Sequence, residues 1–306
     1  MKVLLTGANG FLGKTIFEKL LIDNHIVLGL SRTSGDYKIA LEKEIPTFDF
    51  NFDLVIHAAG KAHYYSQSEV DIQEFYDINV IGTKNLLKGL EKNILPRQFL
   101  FVSSVAVYGI ESGISITEDC ALLAKDPYGL SKIQAEDLVT EWAKKHNVIC
   151  TILRLPLVVG VNSPGNLGLM INGIKRGFYF NICGGIAKKS MVLVNDVANH
   201  VLKAAAVGGI YNLTDGYHPT IFEISSLISK ELNKQQPYNL PLWLAKFAAK
   251  IGDLFGFKAP INTFKLNKII SELTFNDNKA KLSFGWNPTL VLQGFKFIDK
   301  KNDTIF

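Results

Sequence analysis

Residues 2–21, KVLLTGANGFLGKTIFEKLL, open with a short apolar run, pass through a glycine-rich turn and continue as an amphipathic segment. That order is a strand, a tight turn and a helix. Gly7, Gly10 and Gly13 fall between strand and helix, the context that a dinucleotide-phosphate turn requires. Gly7 permits the turn, Gly10 lets the backbone approach a pyrophosphate, and Gly13 allows helix and strand to pack closely. The free N–H groups and the helix dipole then face the anion. The spacing is GxxGxxG, one residue longer in its first interval than GxGxxG.

Apolar runs return at Ile26–Leu30, Leu54–Ala59, Phe99–Val102 and Val148–Leu153, and helical patterns lie between them at Ile72–Leu90 and Tyr128–Lys145. Strands apolar on both faces, alternating with helices, indicate a parallel sheet covered on both sides. The expected class is therefore α/β, a Rossmann-type doubly wound parallel sheet with a smaller C-terminal substrate-binding subdomain. After Leu155 the rhythm changes: Gly and Pro cluster over Gly160–Gly168, and beyond Thr220 the segments read mainly as helices. Residues 1–155 are expected to bind the dinucleotide and 156–306 to bind substrate, with 195–213 a candidate to return to the first domain as a helix and a strand.

Composition removes several alternatives. With 306 residues, 47% hydrophobic and 20% charged, and a mean hydropathy of +0.15, the chain can bury a large core, which excludes disorder. Cys120, Cys150 and Cys183 form no CxxC pair, which argues against a zinc ribbon and for a reducing compartment; they read as buried apolar fillers, and no metal is expected. No run of 18 apolar residues exists and no signal-peptide layout precedes the first strand, so the expectation is a cytoplasmic protein without stable membrane insertion.

The net charge of +5 is too mild to argue for nucleic acid. Residues 1–150 hold 15 Lys+Arg against 19 Asp+Glu, leaving 18 against 9 for the rest, a basic half suited to an anionic small molecule. Leu240–Phe257 is amphipathic, with Trp243, Phe247, Ile251 and Leu254 along one face. A membrane-surface helix is one reading; the preferred expectation is that this apolar face docks on the second subdomain or closes over a ligand cleft.

Asp126–Lys132 reads DPYGLSK, placing Tyr128 and Lys132 one helical turn apart on a single face. A phenol near pKa 10 is a poor base at neutral pH, and bringing it to about 7 takes roughly 4 kcal/mol of differential stabilisation of the phenolate. A neighbouring ammonium and an oxidised nicotinamide ring can supply much of it. Upstream, Phe101–Gly109 (FVSSVAVYG) is a strand leaving into two hydroxyls. Ser104 is the better candidate to hydrogen-bond a reacting oxygen, with Ser103 lining the substrate pocket.

In this order and context the motifs resemble the extended short-chain dehydrogenase/reductases, the NAD(P)-dependent nucleotide-sugar epimerase/dehydratase group. TGxxGxxG from Thr6, Ser104 and Tyr-x-x-x-Lys carry the likeness. So do His57–Gly60 (HAAG), Asn79 in NVIGT, Leu153–Pro156 (LRLP), Val194–Asp196 and Gly285–Pro288. The resemblance implies hydride transfer by Ser104, Tyr128 and Lys132, with Asn79 completing the catalytic group. It implies a cofactor held by Gly7, Asn9, Gly10, Phe11, Leu12 and Gly13, by Ala58, Ala59 and Gly60, and by Tyr128 and Lys132, with Leu155 and Pro156 bordering the nicotinamide. It also implies a homodimer formed through the helices near Ile72–Leu90 and Tyr128–Lys145.

Cofactor choice is read after the second strand, where Leu30, Ser31, Arg32 and Thr33 offer a cation and no acid before Asp36, so NADP is expected over NAD, with NAD as the alternative. On the substrate side, Leu157 stands where many 4-epimerases carry asparagine. LRLPLVVG followed by SPGNLG is more similar to reductases or dehydrogenases acting at C4 of a nucleotide-linked deoxyamino sugar. Ser103, Ser104, Asn166, Lys189 and His63 are the candidate contacts to a nucleotide-diphosphate sugar. A reductase of hydrophobic ketones or aldehydes on the same scaffold, and a cofactor-sensing protein without chemistry, are the alternatives.

Overall fold

A computed structural model describes residues 1–62, 69–256 and 259–296. The chain runs β1 (Lys2–Thr6), α1 (Phe11–Ile22), β2 (Ile26–Ser31), β3 (Tyr37–Lys38), β4 (Leu54–His57) and α2 (Glu69–Tyr76). A π-helical turn over Asp77–Ile81 leads into α3 (Gly82–Leu90), then β5 (Gln98–Ser104), β6 (Gly113–Ile116), α4 (Pro127–His146), β7 (Ile149–Leu155) and β8 (Leu157–Val159). There follow α5 (Gly165–Arg176), β9 (Phe180–Ile182), β10 (Met191–Leu193), α6 (Val194–Val207), β11 (Gly209–Asn212) and α7 (Ile221–Glu231). The last elements are β12 (Tyr238–Leu240), α8 (Leu242–Asp253), α9 (Thr263–Ile270), β13 (Leu273–Phe275), α10 (Asn278–Phe284) and α11 (Val291–Gly294).

Seven strands form one sheet in the order β11-β7-β5-β4-β1-β2-β3, with every neighbouring pair parallel. Side chains alternate along a strand, and β1 shows the consequence. Val3 and Leu5 pack with Ile16, Leu20, Val197 and Val201 from α1 and α6, whereas Leu4 packs with Leu86, Val139 and Trp142 from α3 and α4. Both faces are thus covered, which is why the strand interiors read as unbroken apolar runs. The chain leaves β1 towards β2 on one side and later returns to β4 on the other. The β1/β4 boundary is the switch point where such sheets open a crevice beyond their strand ends.

α6 and β11 lie with this sheet: β11 pairs with β7, and α6 packs against α1. A smaller layer gathers α5, α7 and α11 around Leu167, Ile171, Ile224, Ile228 and Val291. Cross-ties bind it to the sheet, since the Trp286 indole N–H donates to the Thr214 carbonyl at 2.9 Å and Asp196 accepts from the Thr289 N–H at 2.7 Å. Cys120, Cys150 and Cys183 are half-buried rather than buried, each at the margin of an apolar cluster. Among the described residues, no helix is long and apolar enough to cross a membrane.

Candidate active site

Gly7 has φ +71°, and a Cβ there would stand 2.7 Å from the Ala59 nitrogen. At Gly13 a Cβ would meet the Gly7 carbonyl oxygen at 2.0 Å, so the first helix seats directly on the turn only without a side chain. α1 starts with Gly10 as its N-cap and no side-chain cap, leaving its first N–H groups to face whatever fills the crevice. That cradle fits a dinucleotide pyrophosphate. Gly13→Ala is expected to weaken dinucleotide binding at least tenfold and to lower the melting temperature, because the displaced oxygen belongs to the turn itself. Cofactor titration and thermal melts check this.

The crevice is an open cleft of about 1030 Å³, bounded by the glycine turn, by Ala58 and Gly60 beyond β4, by Ser104, Tyr128, Leu155 and Pro156, and by the start of α5. α4 enters it because Asp126 caps the helix, its carboxylate accepting from the Gly129 N–H at 3.0 Å, with Pro127 in the first turn. Tyr128 therefore sits in the first turn and Lys132 one turn later. The Ser104 hydroxyl hydrogen-bonds with the Tyr128 phenol, which favours the phenolate, but burial outweighs this and Asp126 adds to it, so the phenol pKa is raised.

The acidification expected of Tyr128 rests on the Lys132 ammonium together with an oxidised nicotinamide ring; in the chain by itself burial sets the opposite direction. Burial lowers the Lys132 pKa to about 8, only partly opposed by Glu136, and its ammonium donates to the Val102 carbonyl at 2.9 Å.

Asn79 sits in the π-helical turn, a distortion that turns its side chain inward. Its Oδ1 accepts from the Lys61 N–H at 2.8 Å, while its Nδ2 donates to the Lys61 carbonyl at 3.1 Å and to the Ser131 hydroxyl at 2.9 Å. Ser131 in turn donates to the Tyr128 carbonyl at 2.8 Å. Asn79 thus ties the loop after β4 to the turn that carries Tyr128. Gly60 closes against this group, where a Cβ would lie 3.0 Å from Asn79 Oδ1 and 3.2 Å from Lys132 Nζ.

A relay that the motifs did not disclose lies beneath. Thr6 Oγ1 accepts from the Ala59 N–H at 3.1 Å, so its own proton goes to His57 Nδ1 at 2.6 Å. His57 Nε2–H then donates to Thr83 Oγ1 at 2.8 Å, and Thr83 donates to the Asn79 carbonyl at 2.6 Å. Each group has one role, and the imidazole is neutral. Burial, with Lys132 nearby, lowers its pKa to about 3. Between about pH 6.5 and 3 the unfolded chain binds the proton that the folded one refuses, so stability falls as pH falls, by up to about 1.4 kcal/mol per unit from this group. His57→Gln is expected to flatten the decline in urea stability between those limits. The signal available in sequence was the i,i+4 spacing of Asn79 and Thr83.

Ser103 borders the cleft, with its hydroxyl donating to Glu136 Oε1, which also holds Arg154. Other expected contacts lie elsewhere. Lys189 Nζ donates to the Lys268 and Ser271 carbonyls at the end of α9, away from the cleft, where that helix end leaves acceptors unpaired. Asn166 is in the first turn of α5 but does not border the cleft, whereas Asn172 does. Gly165, Gly168 and Asn172 recur at helical spacing, a periodicity that could have indicated it. Asn9 donates to the Ser31 and Ser34 hydroxyls at 2.6 and 2.8 Å, joining the turn to the end of β2. Neither it nor Ser31, Arg32 or Ala59 lines the cleft, and exposed Arg32 stands 3.7 Å from Glu42. His63 lies outside the described residues.

A glycine cradle at a sheet switch point, sharing one cleft with a half-buried tyrosine and serine, with a buried lysine one helical turn behind the tyrosine, defines a dinucleotide-dependent oxidoreductase of hydroxyl groups. Residues 3–214 match the NAD dependent epimerase/dehydratase family, and the chain belongs to it, among the extended short-chain dehydrogenase/reductases. It is 28% identical, over 99% of its length and 97% of the relative's, to N-acetyl-alpha-D-glucosaminyl-diphospho-ditrans,octacis-undecaprenol 4-epimerase of Escherichia coli O157:H7. It is 27% identical, over 96% and 93%, to UDP-glucose 4-epimerase of Vibrio cholerae. The fold is similar to that of UDP-glucose 4-epimerase of Thermotoga maritima, solved with UDP-glucose, with a TM-score of 0.74, 20% identity and 94% of each chain covered.

Proposed function

We propose that this chain is a 4-epimerase acting on a secondary alcohol of a diphosphate-linked sugar, with residues 1–155, joined by 195–213, holding the dinucleotide and the rest of 156–306 the sugar. The observation that carries this is the Ser104–Tyr128 hydroxyl pair, backed by Lys132, opening into the same cleft as the Gly7–Gly13 turn. Tyr128 Oη accepts the alcohol proton as the C–H bond is lost, and returns it to the carbonyl oxygen in the reverse direction. Ser104 Oγ holds that oxygen, and Lys132, one helical turn on with a pKa lowered to about 8, is the cation assigned to stabilise the phenolate. When bound, the nicotinamide dinucleotide supplies the hydride acceptor and donor.

NADP is the preferred cofactor in this reading. Ser31 ends β2 and Arg32 follows it, and the Asp36 carboxylate is engaged with the Gly29 N–H at 2.8 Å. Named relatives favour epimerisation over the C4 reduction suggested by LRLPLVVG. The E. coli relative's name places undecaprenol beyond the diphosphate, so the sugar carrier is a nucleoside or a polyprenol. The assembly in this reading is a cytoplasmic homodimer, supported by exposed Ile72, Tyr76 and Leu130 on α2 and α4; a monomer in sedimentation velocity would remove that part.

The test is incubation with UDP-glucose or UDP-N-acetylglucosamine and either NADP or NAD, followed by proton NMR at C4 and nicotinamide absorbance. Formation of the 4-epimer without net absorbance change is expected. Stoichiometric cofactor consumption would assign a reductase instead, and turnover confined to hydrophobic ketones would overturn the sugar reading.

A further inference from the structure

The amphipathic segment is mounted the opposite way from the expectation. α8 docks through its small residues: Ala245, Ala249 and Gly252 are buried against the cluster that includes Ile182 and Leu266. A Cβ on Gly252 would lie 1.8 Å from the Ile261 carbonyl, so the helix lies hard down on that face. The large side chains consequently point outward, with Trp243 71%, Phe247 61%, Ile251 47%, Leu254 84% and Phe255 69% exposed. Tyr238, on β12 just before α8, and its strand partner Phe180 on β9 are exposed as well. An apolar cleft of about 400 Å³, lined by Ile251, Phe255, Pro260 and Ile261, opens beside them. Soluble helices present the reverse arrangement, and a contiguous apolar face of this kind marks an interaction surface.

Its charge indicates the partner. Residues 241–270 contain five lysines and a single acid, Asp253. Asp253 accepts from the Thr263 N–H and hydroxyl, which hold its pKa below the ordinary value. Lys246 and Lys250 are exposed one turn apart, at one edge of the apolar stripe. Outward aromatic and aliphatic side chains rimmed by lysine suit the headgroup boundary of an anionic bilayer, where the rings enter and the ammonium groups meet lipid phosphate.

We propose that the outward face of α8 docks this protein on an anionic membrane surface. The inference concerns the surface alone and stands or falls separately from the catalytic reading. Co-sedimentation of the full chain with phosphatidylglycerol/phosphatidylcholine vesicles tests it. Binding that is salt-sensitive and at least about tenfold stronger than to phosphatidylcholine alone is expected. Trp243→Glu with Phe247→Glu should reduce it at least about tenfold, and Lys246→Ala with Lys250→Ala should reduce it several-fold. Both variants should keep the melting temperature and the turnover of a water-soluble sugar diphosphate. Absence of vesicle binding would overturn the proposal. So would light scattering showing that the face joins two copies of the chain and that Trp243→Glu separates them.

Discussion

Tyr128→Phe is expected to lower turnover by about a thousandfold while leaving the affinity for the nicotinamide dinucleotide within twofold. The substitution removes one oxygen from a side chain whose ring stays packed 5.8 Å from Phe75, so the cleft keeps its shape. What is lost is the phenol in hydrogen-bond contact with Ser104 at the cleft, and with it the group proposed to move the alcohol proton. Because burial holds the phenol pKa above its ordinary value, the phenolate has to be generated with the complex assembled. The pH profile of the wild-type rate should therefore rise towards alkaline pH, and that rise should be absent in the variant. Initial rates with cofactor titration measure both; activity within tenfold of wild type would remove Tyr128 from the proton transfer.

Glu136→Ala is expected to destabilise the fold by about 3–5 kcal/mol, because it strands a buried guanidinium. Arg154 on β7 and Glu136 on α4 meet at 2.7 Å with both side chains buried, and Arg154 also donates to the Tyr108 hydroxyl at 3.1 Å. Tyr108 continues to Asn212 on β11 at 2.8 Å, while Ser103 on β5 donates to the same carboxylate. One pair thus joins a helix to three neighbouring strands directly beneath the catalytic turn. A fall in melting temperature on the order of 10 °C follows. Replacing the pair together, Glu136→Leu with Arg154→Met, should recover much of the loss, since no unpaired charge remains. A single-variant loss below about 1 kcal/mol would show that the pair is solvated and this account wrong.

The glycine turn and the Tyr128–Lys132 spacing were legible because each is set within a few residues, by backbone conformation and by the helical repeat. Ser103 and Ser104 illustrate where that reading stops. Both border the cleft, but Glu136, 33 residues on, accepts from the Ser103 hydroxyl, a partner that no local pattern announces. Lys189 was a free cation on paper and is consumed by carbonyls 79 and 82 residues away. His57 read as part of a cofactor strand, although Thr6 and Thr83 make it a neutral relay.

By itself the sequence determined the parallel sheet, the phosphate turn at its first strand and the helix that presents a tyrosine and a lysine together. Periodicity and turn chemistry are local, and hydrophobic burial then leaves little freedom in how such units stack. Only the tertiary structure decided which polar groups remain for a ligand and which face of α8 is covered. Those outcomes depend on partners brought together by folding, and on the small residues Ala245, Ala249 and Gly252 fitting against a surface too close to admit Trp243 or Phe247.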